Sequence, residues 1–88
     1  MHLSSLENCR VVFGRRLKSL RIEKGLSQKH LADKSGVDRG FISACEHGKS
    51  NASLETICRL AAALEIPPDE LLKTIGQNCE GMIGDIGK

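Results

Sequence analysis

The sequence has no tryptophan or tyrosine and only two phenylalanines, Phe13 and Phe41. With so few rings, the core must be aliphatic, which suits packed helices. No run of apolar residues is long enough to span a membrane. Residues 1–12 hold no apolar stretch of signal-peptide length, so the expected location is the cytoplasm. The four cysteines (Cys9, Cys45, Cys58, Cys79) are then read as free thiols. They form no C-x-x-C pair and have no matching spacing to His2, His30 or His47, which argues against zinc. Catalysis has no foothold either: no nucleophile–base pair, glycine-rich phosphate loop or carboxylate cluster stands out. No cofactor or small-molecule substrate is implied.

What is present is a helical pattern in a chain of 88 residues, enough for one domain. No stretch alternates as a half-buried strand would. Leu6, Cys9, Phe13, Leu17 and Leu20 fall on one helical face. A Ser4–Glu7 capping box starts this helix near Ser5, a reading that Gly14 and the β-branched Val11 and Val12 weaken, and a start near Arg10 is the alternative; Gly25 ends it. Ser27 caps a second helix that buries Leu31 and Ala32 and stops at Gly36. Asp38 caps a third helix with Ile42 and Cys45 inward, closed by Gly48. Ser53 caps a fourth, with Leu54, Ile57, Leu60, Ala61 and Leu64 inward. Pro68 opens a short fifth helix with Leu71 and Leu72. The expected organisation is an N-terminal extension over 1–12 able to lengthen the first helix, a helical domain over 13–75 and a flexible tail over 76–88.

Charge is unevenly distributed. Residues 10–49 hold ten Lys or Arg against four acids, whereas the rest of the chain holds three against seven. One part of the molecule therefore suits a polyanion.

The most informative stretch is LSQKHLADKSGVDRGFISACEHGK, Leu26 to Lys49. It is two short helices joined at Gly36, with Ala32 small enough for a close crossing and Val37 plugging the angle. Together with FGRRLKSLR before it and SLETICRLAAALEIPPDELL after it, this resembles the Cro/repressor-type (XRE) helix-turn-helix family. The fold implied is all-α: a five-helix, lambda-repressor-like DNA-binding domain. The implied function is a sequence-specific transcriptional regulator, a homodimer on double-stranded DNA with a pseudo-palindromic operator. The short form and the VDRGFIS stretch are similar to restriction–modification controller proteins, with small phage-type repressors as the alternative. A rival reading is an antitoxin-like protein-interaction module using the acidic half (Glu55, Glu65, Asp69, Glu70).

The resemblance also implies roles. Gln28 would clamp phosphate and buttress the recognition helix, with Lys29 beside it at the DNA. Arg39 would read guanine, since its fork matches O6 and N7. Gly40, Ser43 and Ala44 would fill the other groove-facing positions, and Phe41 would touch a thymine methyl or pack at the helix edge. Lys49 and Asn51 would hold phosphate, as would any of Arg15, Arg16 and Lys18 not simply solvating the first helix. Arg21 and Glu46 match a pair that ties the first helix to the recognition helix. Cys45 and Cys58 stand where the family has aliphatic side chains, so both are expected in the core. His30 replaces a common Glu, leaving the Ser27 capping box without its reciprocal acceptor. Ile66, Leu71 and Leu72 exceed what one small core would bury, which points to dimerisation through the fourth and fifth helices.

Overall fold

The computed structural model describes residues 3–78, with side chains described from Asn8 to Lys73. It contains α1 (Leu3–Glu23), α2 (Gln28–Ser35), α3 (Arg39–Glu46), α4 (Leu54–Leu64) and α5 (Pro68–Asn78), and no strand among the described residues.

Local chemistry sets the helix ends. Ser27 Oγ accepts from the His30 amide at 3.0 Å, Asp38 Oδ2 from the Phe41 amide at 3.1 Å, and Ser53 Oγ from the Thr56 amide at 3.1 Å. Each satisfies an amide that the first helical turn leaves unpaired. At the end of α2, Gly36 takes φ 75° and its N–H closes on the Ala32 carbonyl. A side chain there would be strained, so glycine makes the turn into α3. The end of α4 is less expected. Glu65 occupies the left-handed region at φ 60°, with its amide and that of Ile66 returning to carbonyls of the last turn.

The core draws on every element. Phe13, Leu17 and Leu20 come from α1, Leu31 from α2, Val37 from the turn, and Ile42 and Cys45 from α3; Leu60, Ala61, Ala63 and Leu64 come from α4 and Leu71 from α5. Each fully buried Leu or Ile is stabilised by roughly 1.5–3 kcal/mol relative to exposure. α1 lies against both α3 and α5, while α2 packs on α3 and α4. The α1–α3 crossing is very close. A Cβ added to Gly14 would collide with the Cys45 carbonyl and stand 3.0 Å from the Glu46 backbone. Gly14, which weakened the helical reading of this segment, is where the two backbones meet.

Several expectations require correction. α1 begins at Leu3, close to the expected start near Ser5 and well ahead of the alternative near Arg10, so residues 3–12 lengthen the first helix. Val12 is buried. Leu6 lies outside the residues whose side chains are described. Leu54 points outward, 74% exposed, because the first turn of α4 overhangs the core. Of the two expected core thiols, Cys45 is buried and Cys58 is exposed. Leu71 is fully buried within the single chain and is not surplus, because α1 packs on α5. α5 continues through Gly76, Gln77 and Asn78, the start of the expected tail. The remainder of that segment, 79–88, lies outside the described residues.

Candidate nucleic-acid interface

The recognition helix α3 has two unlike faces. Ile42 and Cys45 are fully buried, and burial, then the charge of Glu46, pushes the Cys45 thiol upward in pKa. Arg39 and Gly40 are exposed on the opposite side, and Ser43 and Ala44 are half-buried. Phe41 is half-buried against the core, so of its two expected roles the structure shows packing at the helix edge. His47, just past the helix, is exposed. Its Nδ1 lies 2.7 Å from the Ser43 carbonyl, which can only accept, so Nδ1 carries the hydrogen and Nε2 is left free.

Behind α3 lies a small polar network. Arg21 donates from Nε to Glu46 Oε2 at 2.7 Å and from Nη2 to Oε1 at 3.0 Å; its Nη1 donates to the Leu26 carbonyl at 2.8 Å. Gln28 Nε2 completes the set, donating to Glu46 Oε1 at 3.0 Å. The two charged side chains are only 11% and 2% exposed. The carboxylate thus accepts three hydrogen bonds, and the ends of α1, α2 and α3 are joined at one point. The expected Arg21–Glu46 pair and the Gln28 buttress are brought together here. Gln28 opens α2 at half-burial, and Lys29 beside it is exposed, pairing with Asp33 at 3.8 Å.

The loop after α3 continues its line. The Lys49 amide donates to the Ala44 carbonyl at 2.9 Å, and the Lys49 side chain is exposed. Asn51 is exposed too, and its Oδ1 accepts from Arg10 Nη1 at 3.4 Å. Arg16 does not belong to this surface: it donates to the Glu70 carbonyl at 3.0 Å and pairs with the Glu70 carboxylate at 3.2 Å, fastening α1 to α5. Neither contact was foreseeable from spacing, since the partners are 54 and 41 residues apart.

Charge pairing separates the cations into two groups. Arg16, Arg21, Lys29, Lys34, Arg59 and Lys73 each have a carboxylate within 4.0 Å. Arg10, Arg15, Lys18, Lys24, Arg39 and Lys49 have none among the described residues. Unpaired cations therefore stand at both ends of α3: Arg39 at its start and Lys49 just past its end. No described helix is long and apolar enough to cross a membrane.

Comparison with known proteins agrees with this arrangement. Residues 17–71 match the helix-turn-helix family model. Control protein C.BamHI of Bacillus amyloliquefaciens is 40% identical over 76 residues, covering 83% of this chain and 93% of that protein. A hypothetical transcription factor of Neisseria meningitidis serogroup B is 33% identical over 81 residues, 84% of this chain and 76% of that one. Among solved structures, the restriction-modification controller protein C.AhdI from Aeromonas hydrophila superposes with a TM-score of 0.69 at 52% identity, covering 70% of this chain and 94% of its own. The chain belongs to the helix-turn-helix family of DNA-binding transcriptional regulators.

Proposed function

We propose that this regulator is a controller of a restriction–modification system, binding a pseudo-palindromic operator as a homodimer in the cytoplasm. The relatives named as control and controller proteins support that role. The observation that carries the DNA-reading mechanism is the exposed, unpaired Arg39 at the leading end of a helix whose other face is locked into the core. Arg39 reads a guanine edge, with Gly40, Ser43 and Ala44 admitting close approach of the groove floor and Phe41 bordering it. Lys49 and Asn51 hold phosphates at one end of α3, and Gln28 and Lys29 hold them at the start of α2, where free amides favour an anion. Leu54, exposed on α4, with half-buried Ile66 and Leu72 forms the apolar surface for the second copy.

Selection of bound fragments from genomic DNA tests the reading. Recovery of a palindromic site upstream of the protein's own gene and a neighbouring endonuclease gene is the expected result. On that site Arg39→Ala loses roughly 1–3 kcal/mol and relaxes one base position, whereas equal loss on random DNA refutes base reading. Lys49→Ala weakens all sequences alike and flattens the salt dependence. Sedimentation at rising concentration tests the dimer, and a strict monomer rejects it.

A further inference from the structure

We infer that Arg10, on the N-terminal half of α1, is a further phosphate-binding residue, acting with Lys49 and Asn51 as one grip at the end of the recognition helix. The inference rests on the DNA-binding reading above and extends the contact surface to an element that the helix-turn-helix itself does not include.

Three observations carry it. The loop bearing Lys49 and Asn51 is seated on α1: a Cβ on Gly48 would fall 2.8 Å from Val11 Cγ2 and 3.1 Å from Val11 Cα. Residues 10 and 11 therefore stand directly against the loop that leaves α3. Next, Arg10 Nη1 donates to Asn51 Oδ1, which turns the amide oxygen toward Arg10 and leaves its NH2 free. The remaining N–H groups of Arg10, the Lys49 ammonium and that NH2 are all donors. Finally, neither Arg10 nor Lys49 has a carboxylate partner among the described residues. A surface that offers hydrogen-bond donors and uncompensated positive charge suits a phosphate oxygen. The 3.4 Å bond to Asn51 is long for an N–H···O contact, so Arg10 can turn to a bound phosphate while giving up little.

The test compares the full-length protein with Arg10→Ala and Arg10→Lys, by fluorescence anisotropy across a salt series. Two duplexes of equal length are used, one carrying the selected site and one of random sequence. Arg10→Ala is expected to reduce the slope of log K against log salt by about 0.9 for each bound protomer on both duplexes. The ratio of specific to random affinity stays unchanged, and Arg10→Lys keeps the wild-type slope. A wild-type slope in Arg10→Ala overturns the inference. So does an Arg10→Lys protein that behaves like the alanine variant, because Arg10 would then be a brace for Asn51 and not a charge on the DNA. Wild-type protein that binds neither duplex at low salt removes the DNA-binding reading itself, an outcome distinct from either.

Discussion

Replacing Glu46 by glutamine tests how the recognition helix is held. The carboxylate is 2% exposed and accepts from Arg21 Nε, Arg21 Nη2 and Gln28 Nε2. An amide of the same shape keeps one oxygen. Placed at Oε1 it retains two of the three bonds, but its NH2 then confronts the Nε–H of Arg21, donor against donor. Removing one member of a buried ion pair outright costs about 3–5 kcal/mol, chiefly from the charge left behind. Two surviving bonds to Arg21 and Gln28 recover part of that, so a loss of about 2–4 kcal/mol is expected. A small domain loses roughly 4–8 °C of melting temperature per kcal/mol, so even the lower figure is measurable. Urea denaturation with an unchanged m-value is the assay. The double variant Arg21→Met with Glu46→Met should recover most of the stability, because no unpaired charge remains. Its DNA affinity should still fall, since the link from α1 and α2 to α3 is gone. Stability of Glu46→Gln within about 0.5 kcal/mol of wild type would refute the argument.

Other predictions follow from close approaches, backbone strain and burial. Gly14→Ala gains up to about 1 kcal/mol of helix propensity but drives a methyl into the Cys45 carbonyl, so a net loss of about 1–3 kcal/mol and weaker DNA binding are expected. Unchanged or raised stability contradicts the close crossing. Glu65→Gly relieves a left-handed residue and gives up only the exposed 3.7 Å pair with Lys34, so thermal melting should show a gain of up to about 1 kcal/mol. At neutral pH iodoacetamide should label exposed Cys58 rapidly and Cys45 only on unfolding, as mapped by peptide mass spectrometry; equal rates refute the burial. Because the folded state holds the Cys45 proton to higher pH than the unfolded chain does, stability should fall as pH rises past the ordinary thiol range. A Cys45→Ala protein should lack that decline.

The parts legible in the sequence are those set by neighbouring residues. Ser27, Asp38 and Ser53 announce helix starts because a cap needs only an oxygen three residues ahead of an amide. Gly36 and Val37 announce the turn, and the family resemblance implies the Arg21–Glu46 pair. Sequence and structure part where distant packing decides. Leu54 shares the helical phase of Ile57 and Ala61, yet it sits past the edge of the core, which periodicity cannot register. Cys58 is too small and chemically neutral to declare a face. Leu71 reads as surplus in the sequence because nothing local shows that α1 packs on α5. Glu65 carries no glycine signal, although Ile66 before Pro67 disfavours continued helix there. Arg10–Asn51 and Arg16–Glu70 join separate elements, so no local pattern contains them.

An isolated helix of eight residues, the length of α3, would be marginal in water. It is held because its constraints all act on one side or at its ends: the Asp38 cap at the start, Ile42 and Cys45 in the core, Gly14 beneath the Cys45 carbonyl, and Glu46 within the Arg21–Gln28 network. None of these uses the side chains of Arg39, Ser43 or Ala44, whereas a Cβ on Gly40 would stand 3.0 Å from Oδ2 of the capping Asp38. Arg39, Ser43 and Ala44 can therefore vary with the operator while the helix stays in place, and substitutions there should alter specificity with less change in stability than at Gly40, where a side chain presses on the Asp38 cap. Changes at Gly14, Arg21 or Glu46 cannot be selective in that way, because they displace every outward residue together. The division between what holds the helix and what reads DNA follows from the eight-residue length itself. With barely two turns, each position has room for one of the two tasks.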